Sequence, residues 1–306
     1  MNDCPLSVGV IGGGLGGLAA AVRLAHAGAE VTVFEKNPEV GGKMSACCWE
    51  GFQWDMGPSL LTMPWVLEDL WASVGRTLAD DLELVPLATT CRYHWMDGVR
   101  IDENEAFWKR PEVAAFLRHA EGIYEISKEA FLLNPIEDWW KQLLKPAQLG
   151  KLKYFPRVAS PRTLNRTVAR YFEDPHLRQL FERFATYNGS SPYKTPSAFA
   201  IIPYVQAAFG GWYLRGGMMS LALALKKLAL EMGATIHTEH PVDEVDRLPG
   251  SRFQIHGNAF DRIICNQDVL SARPSLFGQP GPKRGRALST SGFVIYLAMD
   301  REFPQL

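Results

Sequence analysis

The stretch from Ser7 to Lys43 constrains the fold more than any other part of the chain. It opens on a short apolar run, Val8-Gly9-Val10-Ile11, which reads as a buried parallel strand. Gly12-Gly13-Gly14-Leu15-Gly16-Gly17 follows as a G-x-G-x-x-G turn, then an apolar helix from Leu18 to Ala27 that Gly28 ends. A second strand, Val31-Thr32-Val33-Phe34, closes on Glu35. Strand, glycine turn, helix, strand and acid in that order make a mononucleotide-binding βαβ unit.

Each residue type in the unit has a physical task. Gly12 permits the tight turn out of the strand, Gly14 lets a pyrophosphate approach the main chain, and Gly17 lets helix and strand pack closely. The helix N-terminus offers unpaired N–H groups and the positive end of a dipole to phosphates. Glu35, eighteen residues after Gly17, can accept a hydrogen bond from a ribose 2′-hydroxyl. A carboxylate there repels a 2′-phosphate, which argues against NADP.

Beyond the unit the chain reads Asn37-Pro38, Gly41-Gly42-Lys43 and Asp55-Met56-Gly57-Pro58-Ser59. Further on come Phe184-Ala185-Thr186-Tyr187-Asn188-Gly189-Ser190-Ser191-Pro192, Gly210-Gly211-Trp212-Tyr213 and Gly216-Gly217-Met218. In these strings and their order the chain resembles the bacterial-type phytoene (carotenoid) desaturases of the FAD-dependent amine-oxidase-like superfamily. The resemblance implies an α/β fold in which a Rossmann-like FAD-binding domain (1–75 and 212–275) carries an inserted domain. That second lobe (76–211 and 276–306) is implied to be an α+β, sheet-plus-helices, membrane-associated substrate domain, incomplete at its C-terminus. In the family the Gly-Gly-Arg/Lys doublet packs against the flavin's phosphate and ribityl region, and the main chain of a valine, here Val242, bonds the adenine. The cofactor-binding set is thus Gly12, Gly13, Gly14, Leu15, Gly16, Gly17, Glu35, Lys36, Gly42, Lys43, Gly57, Pro58, Ser59 and Val242. No catalytic side chain and no metal ligand is assigned, and Trp212 and Tyr213 are read as packing residues.

With 306 residues, 47% of them hydrophobic, the chain can bury a sizeable core and is expected to form two lobes. Five cysteines (Cys4, Cys47, Cys48, Cys91 and Cys265) with no C-x-x-C pair suit a reducing compartment and exclude a disulfide framework or a cysteine zinc site. The uncharged stretch from Cys4 to Val22 is the nucleotide turn rather than a leader, because Asp3 stands where a leader is basic and glycines crowd the run. A second uncharged run, Thr195 to Leu214, is broken by Pro196, Pro203, Gly210 and Gly211, so no spanning helix is expected.

Periodicity supplies the remaining elements. Met63 to Val74 reads as a helix with Val66, Leu67, Leu70, Trp71 and Val74 on one face. Leu82–Val85, Arg92–Trp95 and Val99–Ile101 read as strands, with Met96-Asp97-Gly98 as a hairpin turn. A long helix starts at Pro111, with Val113, Phe116, Leu117, Ala120, Tyr124 and Phe131 on its apolar side. Ser160-Pro161 and Asp174-Pro175 are two capped helix starts, the second followed by Leu177, Leu180, Phe181 and Phe184 at core spacing. A helix with Met218, Leu221, Leu225, Leu228 and Met232 on one face ends at Gly233. Strands follow through Ile236, Phe253–Ile255 and Arg262–Cys265, and an apolar strand is expected from Phe293 to Met299. His237 and His240 are read as strand-end residues rather than metal ligands, since no third ligand cluster is visible.

Charge is segregated. The net charge is −1, yet eight of the 32 basic residues and none of the 33 acids fall between Trp139 and Arg170. They are Lys141, Lys145, Lys151, Lys153, Arg157, Arg162, Arg166 and Arg170, interleaved with Trp139, Trp140, Leu143, Leu144, Leu149, Leu152, Tyr154 and Phe155. Such a face suits a membrane surface, where aromatic rings sit at the headgroup boundary and cations meet anionic lipid; the alternative is a solvated basic face. No nucleic-acid partner is expected, because nothing else resembles a reader of bases. The expected protein is cytoplasmic and peripheral on the inner face of the membrane.

The resemblance implies an FAD-dependent oxidoreductase that desaturates a long isoprenoid hydrocarbon by hydride transfer to the flavin. A carotenoid oxygenase or isomerase, or an amine-oxidase relative, would look alike at this level. The family's closing glycine- and proline-rich segment has no counterpart here, so a truncated, inactive fragment or one half of a split enzyme with a C-terminal partner chain is a further expectation.

Overall fold

The computed structural model describes residues 5–146, 150–158, 160–280, 289–290 and 292–303. Cys4, Leu149 and the side chains of Trp139 and Leu143 lie outside the described set, as does part of the tail assigned to the second lobe. The chain divides into two compact units, Met1–Val85 with Trp212–Arg286, and Pro86–Gly211 with Ala287–Leu306.

The first unit is built on a parallel sheet. Strand β1 (Ser7–Ile11) leads through the glycine turn into helix α1 (Leu15–His26) and back to strand β2 (Glu30–Phe34), in register Val8↔Val31 to Ile11↔Phe34. Strand Thr235–His237 pairs with β2, and Arg262–Cys265 pairs with β1, so all four strands run parallel with β1 and β2 in the centre. Both central strands are covered on two faces, which is why they read as near-continuous apolar runs. On one face α1 and helix Met219–Glu231 bury Leu18, Val22, Leu221, Leu225 and Leu228 against Val8, Val10, Val31 and Val33. On the other, Ile255 and Phe260 of an antiparallel meander (Asp246–Leu248, Arg252–Ile255, Asn258–Phe260) pack with Ile11 and Phe34. Truncating a fully buried residue such as Leu18 to alanine costs about 2–5 kcal/mol.

The helix expected over Met63–Val74 spans Trp65–Ala72 and buries Leu70 and Trp71, while Val66 in its first turn stays exposed. Residues 76–85 pack with this unit: Leu78 and Leu82 join its core and the Trp71 indole donates to Asp81 at 2.8 Å. The strand in this region is Leu84–Pro86, two residues later than its apolar run suggests, because Leu82 is committed to the core.

In the second unit, strands Thr89–His94 and Arg100–Asn104 form a hairpin around Asp97-Gly98. Its core is aromatic: Phe107, Phe116, Phe172, Phe181 and Phe184 are buried, with Phe172 and Phe181 stacked at 4.4 Å between ring centroids. The Pro111 helix runs to Ser127 and then loosens into a wider turn over Lys128–Leu132. That change of pitch rotates Phe131 out of the apolar face, leaving it exposed. Asp174 caps its helix through the His176 N–H as the sequence suggests. The preceding helix, Leu164–Val168, is capped by Thr163 and not by Ser160, whose hydroxyl accepts the Arg162 N–H in a turn before the helix begins. Residues 293–299 form no strand: a strand needs an edge to pair with, and among the described residues none runs alongside; Phe293, Val294, Ile295 and Leu297 are exposed.

Candidate functional site

The site grows from the carboxyl ends of β1 and β2. Gly12, at φ +99°, turns the chain out of the sheet while its N–H still reaches the Phe34 carbonyl at 2.8 Å. Gly14 caps α1 with no side-chain bond to its first turn, and that turn carries no acid. The N-terminal N–H groups are left for a ligand, and an anion suits them. A Cβ at Gly17 would stand 2.1 Å from the Gly12 carbonyl oxygen, so only glycine lets the helix start this close to the strand.

Glu35 points back into this turn. It is 4% exposed, and its carboxylate accepts from the Gly13 N–H at 2.8 Å, the Asn37 N–H at 2.9 Å and the Asn37 carboxamide at 2.7 Å. A carboxylate offers about four acceptor positions, so one remains for a donor in the cleft, such as a ribose hydroxyl. The Gly41-Gly42 doublet lies against the same turn: the Gly41 N–H donates to the Gly13 carbonyl at 2.8 Å, and Gly14 and Gly41 form a parallel bridge.

The segment after the doublet is fixed from two sides. A Cβ at Gly57 would fall 1.9 Å from the Lys43 carbonyl oxygen. The hairpin Ala46–Trp49/Phe52–Asp55 ends on Asp55, whose two oxygens accept from the Met218 N–H at 2.9 Å and the Tyr213 hydroxyl at 2.5 Å. That bond to Asp55, followed by partial burial, pushes the Tyr213 hydroxyl up to about 12. Tyr213 is thus a brace between the hairpin and the Gly216-Gly217 turn.

These elements enclose a cleft of about 990 Å³ within the first unit. The turn contributes Gly12, Gly14, Leu15 and Gly16, the end of β2 contributes Glu35 and Lys36, the doublet contributes Gly42 and Lys43, and Pro58 and Val242 complete the assigned residues that line it. Gly13, Gly17, Gly57 and Ser59 do not line the cleft; Gly13 and Gly17 are buried behind the turn, and Gly57 and Ser59 are exposed. Asn37, which the sequence marked as part of a motif but not as a cofactor-binding residue, lines it as well, and so do Asp243, Asn266 and Asp268, which the sequence did not mark. Asn37 had a local signal, its place two residues after Glu35; Asn266 had none. His237 and His240 lie beside this region with their rings 5.1 Å apart, His237 stacked on Phe34 and His240 bonded to the Thr238 carbonyl.

Fold and cleft define a βαβ protein of the dinucleotide-binding type, with a buried carboxylate, Glu35, at the end of its second strand. The cavity has the volume of a small-molecule site, and Gly12, Gly14 and Gly16 bring the main chain of the turn to its wall. A family profile described as flavin containing amine oxidoreductase matches residues 15–305. A 4,4'-diapolycopene oxygenase from Methylomonas sp is 33% identical over 97% of this chain and 63% of its own length. A zeta-carotene-forming phytoene desaturase from Myxococcus xanthus is 32% identical over 97% of this chain and 61% of its own. Among solved structures, an oxidoreductase from Methanosarcina mazei aligns with a TM-score of 0.61 at 21% identity, over 89% of this chain and 61% of that one, which shows the fold. The chain belongs to the flavin containing amine oxidoreductases, a family whose cofactor is FAD. It spans less than two thirds of the length of the curated relatives it matches.

Proposed function

We propose that the protein is an FAD-dependent oxidoreductase that desaturates a long isoprenoid hydrocarbon of the carotenoid type. The observation that carries the reading is the open glycine turn with Glu35 folded into it, in a chain about one third identical to carotenoid desaturases and oxygenases.

On this reading, Gly12 to Gly17 and the first turn of α1 hold the diphosphate, Glu35 takes a ribose hydroxyl, and Val242 faces the adenine. Lys36 and Lys43, both exposed on the cleft, supply positive charge to the phosphates, while Gly42 and Pro58 shape the wall. FAD bound there supplies the acceptor for hydride removed from a C–H bond. What the chain itself supplies is alignment and exclusion of water, which need apolar walls more than an acid/base pair. We assign no side chain to the proton that leaves the neighbouring carbon.

The substrate lives in a bilayer, and the second unit carries a surface suited to one. Among the described residues no helix is long and apolar enough to cross a membrane. Leu132, Leu133, Trp140, Leu144 and Phe155 of this unit are exposed, and so are Lys145 and Lys153. We read this surface as a peripheral docking face that brings the substrate domain to lipid on the cytoplasmic side.

Two measurements test the reading. The purified chain should show the visible bands of an oxidised flavin, or acquire them on adding FAD; a chain that takes up no flavin overturns it. Incubation with candidate polyenes should lengthen the chromophore with loss of hydrogen. A product that gains oxygen instead would establish the oxygenase reading that the Methylomonas relative favours.

A further inference from the structure

The parallel pairing of β1 with Arg262–Cys265 ends at Ile11↔Cys265, so the next residue on that strand, Asn266, stands level with Gly12. Its main-chain N–H donates to the Ile11 carbonyl at 2.8 Å, which fixes where its side chain begins. The carboxamide then lies across the glycine turn. Its Nδ2 approaches the Gly12 carbonyl at 3.4 Å. A Cβ placed on Gly14 would meet Nδ2 at 3.0 Å, and one placed on Gly16 would meet Oδ1 at 2.8 Å. Gly17 faces Nδ2 as well, at 3.2 Å. Three of the glycines therefore leave room for a side chain of this protein as well as for a ligand, and that side chain lines the cleft.

We infer that Asn266 is a clamp for the diphosphate turn: a positioning residue that holds the Gly12 carbonyl back and presents its carboxamide beside the first turn of α1. The proposal rests on the reading of the cleft as the FAD site. A carboxamide fits because it is neutral and carries both donor and acceptor. The position must donate to a carbonyl that has turned away from the sheet, so an acceptor-only group fails there. An aspartate of the same shape would set a carboxylate against the Gly12 carbonyl and beside the place of the phosphates. Three acids line the cleft, Glu35, Asp243 and Asp268; Glu35 is committed to Gly13 and Asn37, and Asp268 caps helix Val269–Phe277 through the Leu270 N–H at 2.8 Å. The competing role is a brace for the sheet alone, with no bearing on the ligand.

The experiment uses the full chain freed of flavin, in wild-type form and as Asn266→Ala and Asn266→Asp. FAD and ADP carry the diphosphate; riboflavin lacks it. Affinities are read from flavin fluorescence quenching and, for ADP, calorimetry, alongside the thermal midpoint of each ligand-free protein. Asn266→Ala is expected to weaken FAD and ADP about tenfold, the loss of one or two hydrogen bonds. Asn266→Asp should weaken both further, with riboflavin affinity and the ligand-free midpoints nearly unchanged. Unchanged FAD and ADP affinity in both variants overturns the clamp, and so does a loss that only tracks a fall in midpoint. A wild-type chain that binds neither FAD nor ADP overturns the cleft reading itself and the clamp with it.

Discussion

A methyl group at Gly17 has nowhere to go, because it would stand 2.1 Å from the Gly12 carbonyl oxygen, an atom of the rigid turn. Gly17→Ala must push helix and strand apart, and we expect it to lower stability by about 3 kcal/mol in urea unfolding and to reduce flavin uptake. Gly28→Ala is the control: it meets nothing within 4 Å and suffers only its φ of +88°, a cost of about 1–2 kcal/mol. Equal losses in the two variants would show that close approach is not what selects glycine in the turn. A different residue-scale effect belongs to Glu103 in the second unit, buried among the Tyr93 hydroxyl at 2.7 Å, the Gln206 carboxamide at 2.6 Å and the Thr90 hydroxyl at 3.2 Å. Burial pushes its carboxyl above the ordinary 4.5, outweighing the hydrogen bonds that oppose it. The folded state thus holds this proton more tightly than the unfolded chain does. The corresponding stability is complete below the unfolded value and is lost as pH rises through the folded one. Urea midpoints of wild type relative to Glu103→Gln should therefore fall as pH rises above 4.5, and a constant difference would contradict the assignment.

Among the elements, those whose causes are local are legible in the sequence. The βαβ unit is such a case: Val8, Val10, Gly12, Gly17 and Glu35 each take their type from neighbours within one strand–helix–strand passage. The Asp174-Pro175 helix start is another. What escaped depends on distant or cumulative geometry. Asn266 reaches Gly12 across 254 residues by strand register, which leaves no pattern in the chain around it. Phe131 leaves its helix face because one wide turn shifts the phase. Asp55 was legible as part of a motif, but its two bonds to the Gly216-Gly217 region were not. That tie makes a prediction about the hairpin as an element. In Asp55→Asn the hydrogen bond that holds the Tyr213 proton weakens, so its titration, followed by ultraviolet difference spectra, should drop from about 12 toward the ordinary 10.0. A Tyr213 curve that stays in place would mean that burial, and not Asp55, sets it.

For the molecule as a whole, the proposed function raises the matter of how a chain with no described helix long and apolar enough to cross a membrane would reach a lipid-dissolved substrate. Counting cations overstates the electrostatic part of the answer. Of the basic residues between 139 and 170, Lys141 is paired with Asp138 at 2.6 Å and Lys151 with Glu125 at 2.8 Å. The Arg157 guanidinium is turned inward, donating to the Arg118 and His119 carbonyls and lying over the Tyr154 ring. Lys145 and Lys153 are exposed and flank exposed Leu144 and Phe155, so cation and apolar group sit side by side as an interfacial surface requires. Each lysine near an anionic surface contributes about 1 kcal/mol, and the apolar groups add burial in the headgroup region. Neutralising Lys145 and Lys153 together should weaken binding to vesicles of anionic lipid by about 2 kcal/mol, roughly thirtyfold, and more at low salt than at high. Neutralising Lys141 and Lys151 should do less, since their charge is already offset within the protein. Replacing Leu144 and Phe155 by serine should weaken binding to neutral and anionic vesicles alike. If all three pairs leave vesicle co-sedimentation unchanged, this face is a solvated one, and the docking reading falls.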